Sequence, residues 1–309
     1  MAVVRLRVIC GPTAAGKSAL VWRLAERFPL AVVSADSRQI YRGFDIGTGK
    51  PTAAEQARVP HFGIDVAEPE ERYSAARWAE SARAWMSEAR AAGRTPVIVG
   101  GTGFYIRALT APLFAQPPMD EGRRRSLAAW SRSLTVDQLR AWIARLDPER
   151  AHLGRAQLLR AIEVALLTGV PLSRWHAEGA RAAVLPARYL LVDPGAPLRG
   201  AIVERAERML EGGWVEEAEA LARRVTEDAP AWNATGYRAV RELARHRSEV
   251  RTVLERVVVS TRQYAKRQRT WFRHQLPAGT VTRLDPVAPD ALERAVAWWT
   301  QAEEDEDGR

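Results

Sequence analysis

A chain of 309 residues, 47% of them hydrophobic, is long enough to bury the cores of about two domains. Its single cysteine, Cys10, excludes an internal disulfide and a cysteine-based zinc site, and no apolar run reaches the length that spans a bilayer. A net charge of +9 and a pI near 10.3 point toward a polyanionic partner in a reducing cytoplasm. Only three of the 46 basic residues are lysine: Lys17, Lys50 and Lys266. An ammonium and a guanidinium are not interchangeable where geometry is tight, so these three positions are expected to be constrained.

The first element is a strand through Val3, Val4, Leu6, Val8 and Ile9. It opens into Gly11-Pro12-Thr13-Ala14-Ala15-Gly16-Lys17-Ser18, which fits G-x-x-x-x-G-K-[ST]. The two glycines let successive N–H groups turn inward on phosphate oxygens, Lys17 adds a point charge, and the Ser18 hydroxyl suits Mg²⁺. A helix through Ala19, Leu20, Leu24 and Ala25 leaves the loop, so its N-terminus also faces the anion.

A second strand, Leu30–Ser34, delivers Asp36, Ser37, Arg38 and Gln39. Residues just past the carboxyl ends of strands line the ligand crevice of a parallel α/β sheet, which places Asp36 near Lys17. The glycine-rich stretch 43–49 reads as a loop that approaches a ligand or another backbone closely, and 61–65 as a short strand. Ser74 caps a helix through Ala92 that stops at Gly93, and the strand Pro96–Val99 runs into Gly100-Gly101-Thr102-Gly103 and a helix from Phe104.

From residue 112 to 187 the spacing predicts a helical insertion, with helices at 121–132, 135–145, 156–168 and 172–179. Strand Tyr189–Val192 returns to the sheet and ends in Asp193. Residues 188–300 are then mainly helical, and 301–309 read as a disordered acidic tail. The expected architecture is α/β: a parallel sheet like that of P-loop NTPases over residues 1–111, resumed from 188, with a helical insertion and helical C-terminal part. In the long helix from Glu249 to His274, Arg262, Lys266, Arg269 and Arg273 share one face. Eleven Arg or Lys against three Glu between Arg238 and Arg273 suit contact with a phosphate backbone.

Together these motifs resemble the bacterial tRNA dimethylallyltransferases, which modify adenosine beside the anticodon. The resemblance covers nearly the whole chain. It rests on residues 11–18, on Ser34 through Pro51, on Pro96 through Tyr105, on Arg160–Glu163, on Gly236-Tyr237 and on Thr261 through Gln268. It implies transfer of a dimethylallyl group from dimethylallyl diphosphate to N6 of an adenosine in the tRNA anticodon stem-loop, by a cytoplasmic monomer without a protein partner. In that reading Asp36 is the general base, Thr102 a second catalytic residue, Thr13 a hydrogen-bonding group, and the loop with Mg²⁺ on Ser18 holds the diphosphate. It further implies tRNA contacts from Asp36, Ser37, Arg38, Gln39, Thr102, Arg124, Gln157, Arg160, Gly236, Tyr237, Arg238, Arg262 and Lys266. The chain departs from the family at Ala151–Gly154 and Gln157, where the family carries His-Pro-Asn-Asp and a further arginine, and it lacks the cysteine-histidine finger of some eukaryotic relatives.

Three other readings share parts of this pattern. A P-loop kinase or NTPase would bind ATP and needs a strand ending in a metal-binding Asp, for which Asp36 or Asp193 could stand. An adenylate isopentenyltransferase would modify free AMP or ATP, and it needs neither the insertion nor the basic helix. A non-catalytic RNA-binding protein leaves the phosphate loop and Asp36 without a role. The basic face makes one prediction directly: tRNA affinity should fall steeply between low and moderate salt in a filter-binding titration, and a flat response would count against it.

Overall fold

The computed structural model describes residues 5–111, 119–178, 184–246 and 249–307. The chain divides into two compact units, one of residues 1–111 with 184–309 and one of residues 112–183. The first contains a six-stranded sheet: β1 (Leu6–Cys10), β2 (Leu30–Ser34), β3 (His61–Phe62), β4 (Thr95–Gly100), β5 (Ala187–Val192) and β6 (Val281–Leu284). All pairings are parallel, in the order β3-β2-β4-β1-β5-β6. Both β1 and β2 are buried along their whole length, as befits apolar runs in a sheet covered on both faces.

The register fixes what stands at the rim. Cys10 lies level with Gly100 on one side and Leu191 on the other, and Ser34 is level with Val99. The turns that follow β1, β2 and β4 therefore emerge side by side. Because β1 lies between β4 and β5, the chain leaves it at mid-sheet, where α/β folds hold their ligands.

The first segment of this unit adds α1 (Lys17–Ala25), α2 (Ala53–Arg58), α3 (Ala75–Ala91) and α4 (Gly103–Thr110). On α3, Trp78, Ala82, Met86 and Ala89 form the buried stripe, and the Ser74 hydroxyl caps its start by accepting from Arg77 N–H at 3.1 Å. Trp78 stacks on Tyr105 of α4, with ring centroids 4.9 Å apart, and donates its indole N–H to the Ser34 carbonyl at 3.0 Å. This contact ties the helical layer to the end of β2.

The second unit is helical among its described residues: α5 (Glu121–Ser131), α6 (Val136–Leu146), α7 (Arg155–Thr168) and α8 (Leu172–Glu178). Leu139, Ile143, Leu158, Ala161, Ile162, Val164 and Leu172 form its core. The first unit then resumes with α9 (Leu198–Glu211), α10 (Trp214–Ala222), α11 (Tyr237–His246), α12 (Val250–Gln275) and α13 (Ala291–Asp307). Phe44, Trp214, Trp232 and Tyr237 form an aromatic cluster that packs loop 43–49 against α10 and α11. No single helix among the described residues is long and apolar enough to cross a membrane.

Several elements differ from the sequence expectation. Residues 184–187, expected in the insertion, belong to the first unit: Leu185 N–H donates to Leu109 O, Pro186 O accepts from Leu6 N–H, and Ala187 opens β5. The expected strand 61–65 ends at Phe62, since Gly63 and Asp65 adopt positive φ of 79° and 56°. Strand β6 and helix α2 were not anticipated; each is too short to carry a clear period. The backbone of 301–307 continues α13 instead of forming a disordered tail, as its Gln, Ala and Glu content allows. Val3 and Val4, expected to begin the first strand, lie outside the described residues.

At Gly11 the sheet imposes a hard limit. Its φ is 150°, and a Cβ there would lie 2.1 Å from the Val192 carbonyl oxygen. Gly11→Ala should therefore lower stability by roughly 1–3 kcal/mol, measured by chemical denaturation, whereas an unchanged midpoint would show that the turn can move away from β5.

Candidate active site

The loop after β1 is built to present amides. Ala14 and Gly16 both take left-handed conformations, with φ of 61° and 81°, and α1 begins at Lys17 without a side-chain cap. Uncapped N–H groups at a helix start, converging with those of the turn, form an anion-binding concavity. Lys17 donates from Nζ to the carbonyls of Gly11 at 3.0 Å and Pro12 at 2.7 Å, which folds its ammonium back over the loop. Ser18 follows with an exposed hydroxyl on the same cleft.

A second turn lies beside it. Thr102 N–H donates to the Ala35 carbonyl at 3.0 Å, and its Oγ1 accepts from Ser37 N–H at 3.0 Å. Asp36 Oδ1 accepts from Arg38 N–H at 2.8 Å, an Asx turn that fixes the carboxylate, and its other oxygen takes no hydrogen bond from the described residues. Asp36, Thr13, Lys17, Ser18 and Gln39 line a common cleft of about 830 Å³. Asp36 and Thr13 also border a smaller cavity of about 60 Å³ walled by Ile202, Met209, Trp214 and Val257.

Arg205 of α9 reaches both cavities and donates to the Thr48 carbonyl at 3.2 Å. Desolvation lowers its pKa; the Asp36 carboxylate opposes this shift, and neighbouring Arg208 reinforces it. Lys17 is lowered to about 8, first by desolvation and then by the Arg205 charge, with Asp36 and Cys10 pulling the other way. Two cations thus share the floor of the cleft near one carboxylate. Beneath the loop, burial pushes the Cys10 thiol up to about 12. Nothing in the sequence distinguishes Arg205 from the other arginines, so it escaped notice there.

Loop 43–50 is the far wall, and it is held from behind. Glu217 Oε2 accepts from the N–H groups of Asp45 at 3.0 Å and Ile46 at 2.7 Å, while its Oε1 accepts from Tyr237 Oη at 2.5 Å. Tyr237 Oη in turn accepts from Gly47 N–H at 3.2 Å. Lys50, its side chain only 4% exposed, donates to Asp45 and Asp65 at 2.6 and 2.5 Å and to the Tyr41 carbonyl at 2.6 Å. The constraint expected at Lys50 is therefore met by an ion triad, whereas Lys266 stands exposed on α12. Gln39 completes the brace, accepting from Ser34 Oγ at 3.0 Å and donating to the Gly49 carbonyl at 3.0 Å.

Other expected site residues lie elsewhere or are engaged. Tyr237 is fully buried in the aromatic cluster, so its expected RNA contact is corrected to a structural role. Gly236 beside it requires glycine: a Cβ there would lie 2.3 Å from Trp214, and its φ is 94°. In the second unit Arg124 and Arg160 both bind Glu163; burial pushes that carboxyl up, but their hydrogen bonds hold it below the usual carboxylate range. Gln157 Oε1 accepts from Gly154 N–H at 3.1 Å and so caps α7. Arg238 donates to Asn233 Oδ1 at 2.5 Å. Arg262 is exposed on α12, but Arg269, expected on the same basic face, forks onto both oxygens of Asp193 at 2.8 and 2.5 Å.

A family model for IPP transferase matches residues 39–275, and one for isopentenyl transferase matches residues 4–62. The chain belongs to the IPP transferase family. It is 43% identical over 297 residues to a tRNA dimethylallyltransferase of Halorhodospira halophila, covering 93% of this chain and 94% of that one. A second tRNA dimethylallyltransferase, from Gloeobacter violaceus, is 43% identical over 275 residues, covering 87% and 89%. Among solved structures, the full-length tRNA isopentenylpyrophosphate transferase of Bacillus halodurans superposes with a TM-score of 0.68 at 31% identity, covering 98% of both chains. A eukaryotic dimethylallyltransferase acting on tRNA shares the fold, with a TM-score of 0.77 at 24% identity and coverage of 98% of this chain and 80% of that one.

The lowered Lys17 makes the IPP transferase cleft pH-sensitive. An ammonium attracts an anion and a neutral amine does not, so the Lys17 contribution to binding inorganic diphosphate should be full well below pH 8 and fade above it. Calorimetry across that range should show the wild type losing affinity relative to Lys17→Met, by up to about ten-fold per pH unit. Parallel curves for the two proteins would remove Lys17 from the anion site.

Proposed function

We propose that this protein transfers the dimethylallyl group of dimethylallyl diphosphate to N6 of the adenosine immediately 3′ of the anticodon in tRNA. The observation that carries the reading is one cleft in which Asp36 faces a phosphate-type loop and two cations, Lys17 and Arg205. The relatives named as tRNA dimethylallyltransferases support the acceptor.

The adenine amine is a weak nucleophile because its lone pair is delocalised into the ring. As N6 bonds to C1 of the dimethylallyl group, the C1–O bond breaks and diphosphate leaves with the electron pair. Asp36 takes the proton that N6 sheds; its Asx turn holds the carboxylate at a fixed angle for this transfer. Charge growing on the leaving group meets the amides of Ala14 to Ser18, the Lys17 ammonium and the Arg205 guanidinium. Thr102, with Ser37 and Gln39, orients the base and its ribose, and Arg38 stands beside them. The target base must leave its stack, at a cost of about a few kcal/mol. Arg262 and Lys266 on α12, Arg238, and Arg124 and Arg160 of the second unit offset this by gripping phosphates.

Mg²⁺ fits the donor set. Ser18 and Asp36 offer hard oxygens on the cleft, and no group of three or more His, Cys, Asp or Glu among the described residues could enclose a metal alone. Ser18 would hold the ion against the diphosphate, where it would supply charge neutralisation. The protein acts as a cytoplasmic monomer. With Asp193 forked by Arg269, the competing P-loop ATPase reading is left with Asp36 as its metal ligand, the same carboxylate that the transfer reaction uses as its base.

Asp36→Asn should retain tRNA binding but lose about 10²–10⁴-fold in prenyl transfer; wild-type turnover would remove Asp36 as base. Incubation with labelled dimethylallyl diphosphate, Mg²⁺ and tRNA, AMP or ATP should label tRNA alone. Label appearing in AMP or ATP would instead identify a free-nucleotide prenyltransferase.

A further inference from the structure

Gln268 is only 6% exposed, yet both ends of its carboxamide are in use. Its Oε1 accepts from Thr13 N–H at 2.8 Å, and its Nε2 donates to the Gly101 carbonyl at 2.9 Å. These two groups belong to turns that leave neighbouring strands. The sheet ladder between β1 and β4 ends where Cys10 pairs with Gly100. Past that point, one residue on from Gly100 and three on from Cys10, a side chain from α12 takes over the cross-link.

Gly101 is shaped to receive it. A Cβ at that position would lie 2.2 Å from Gln268 Nε2, so the absent side chain is what admits the amide. The chemistry is also directional. One arm must accept and the other donate, which a carboxamide does and an ionised carboxylate cannot.

We infer that Gln268 is a positioning residue that holds the phosphate loop in register with the Gly101-Thr102 turn. The inference rests on the reading that this loop grips the diphosphate. It has a chemical corollary. The Thr13 N–H is committed to Gln268, so the amides offered to the diphosphate begin at Ala14, and Thr13 contributes through its side chain. Gln268 also sits on the helix that carries Arg262 and Lys266, so the RNA-facing helix and the loop share a direct link.

The test uses the full chain and two readouts: calorimetric binding of inorganic diphosphate with Mg²⁺, and transfer kinetics from dimethylallyl diphosphate to tRNA. Gln268→Ala should weaken binding of inorganic diphosphate and raise the KM for dimethylallyl diphosphate, each by about ten-fold, with tRNA affinity unchanged, because a single buried pairing is removed from each turn. Gln268→Glu keeps the volume but loses the donor, and should be impaired as well; full activity in it would reduce Gln268 to a space filler. Gly101→Ala keeps Gln268 but displaces its amide, and should weaken diphosphate similarly even where Gln268→Ala fails to fold. Combined in one chain, Gly101→Ala should add little to Gln268→Ala, since the atom it strikes is gone. Additive penalties, or unchanged diphosphate binding in either single variant, would overturn the inference. If the wild type binds diphosphate but does not label tRNA, the functional reading fails while the role of Gln268 in the loop can still be scored.

Discussion

Lys17 and Arg205 bear on the same small volume with Asp36 as the carboxylate that offsets them, and that imbalance of charge governs the rest of the site. Water alone would solvate these groups more cheaply than the protein does, which is why desolvation drags Lys17 down toward neutrality. A ligand with two or more negative charges repairs the deficit, and a neutral one does not. The cleft is therefore selective for an anion before any shape is considered. Asp36 cannot supply the whole compensation, and in the proposed role of base it must keep a lone pair for the acceptor.

The glycines around the cleft serve the same end by letting backbone come close to polar side chains. Gly49 lies where a Cβ would meet Arg205 Nη2 at 2.3 Å, and Gly47 where it would meet the Trp214 indole at 2.0 Å. The loop that carries them is thereby pressed onto α9 and α10, and Glu217, Tyr237 and Lys50 hold it there. The close approach expected of this glycine-rich stretch is thus met by two helices, which make it a braced wall. Its rigidity is bought with hydrogen bonds from helices that lie far off in the chain.

What could be read from residue order follows from this geometry. The phosphate loop, its flanking strand and helix, and the nearness of Asp36 to Lys17 are consequences of local chemistry and parallel-sheet topology, and they were legible. Lys50 was also legible as a constrained position, through its rarity. Arg205, Glu217 and the pairing of Gln268 were not, because their meaning depends on contacts more than 150 residues away. Tyr237 and Arg269 misled for the related reason that a motif marks importance without saying whether a side chain faces a substrate or the core. Helical spacing placed Arg269 with Arg262 and Lys266, but the end of β5 claims it.

The position of β1 between β4 and β5 carries a consequence for how the molecule is made. During synthesis the phosphate loop, Asp36 and the Gly101 turn all emerge within the first third of the chain, with one flank of β1 still bare. The second flank, β5, arrives only after the helical unit has passed, and Gly11 takes its limit from Val192 at the end of that strand. Arg205, Glu217 and Gln268 come later still. A nascent chain halted after the insertion thus holds the complete loop sequence without the cation, the latch or the cross-link that make it a site. The site is complete only once Gln268 has been added, near the end of translation.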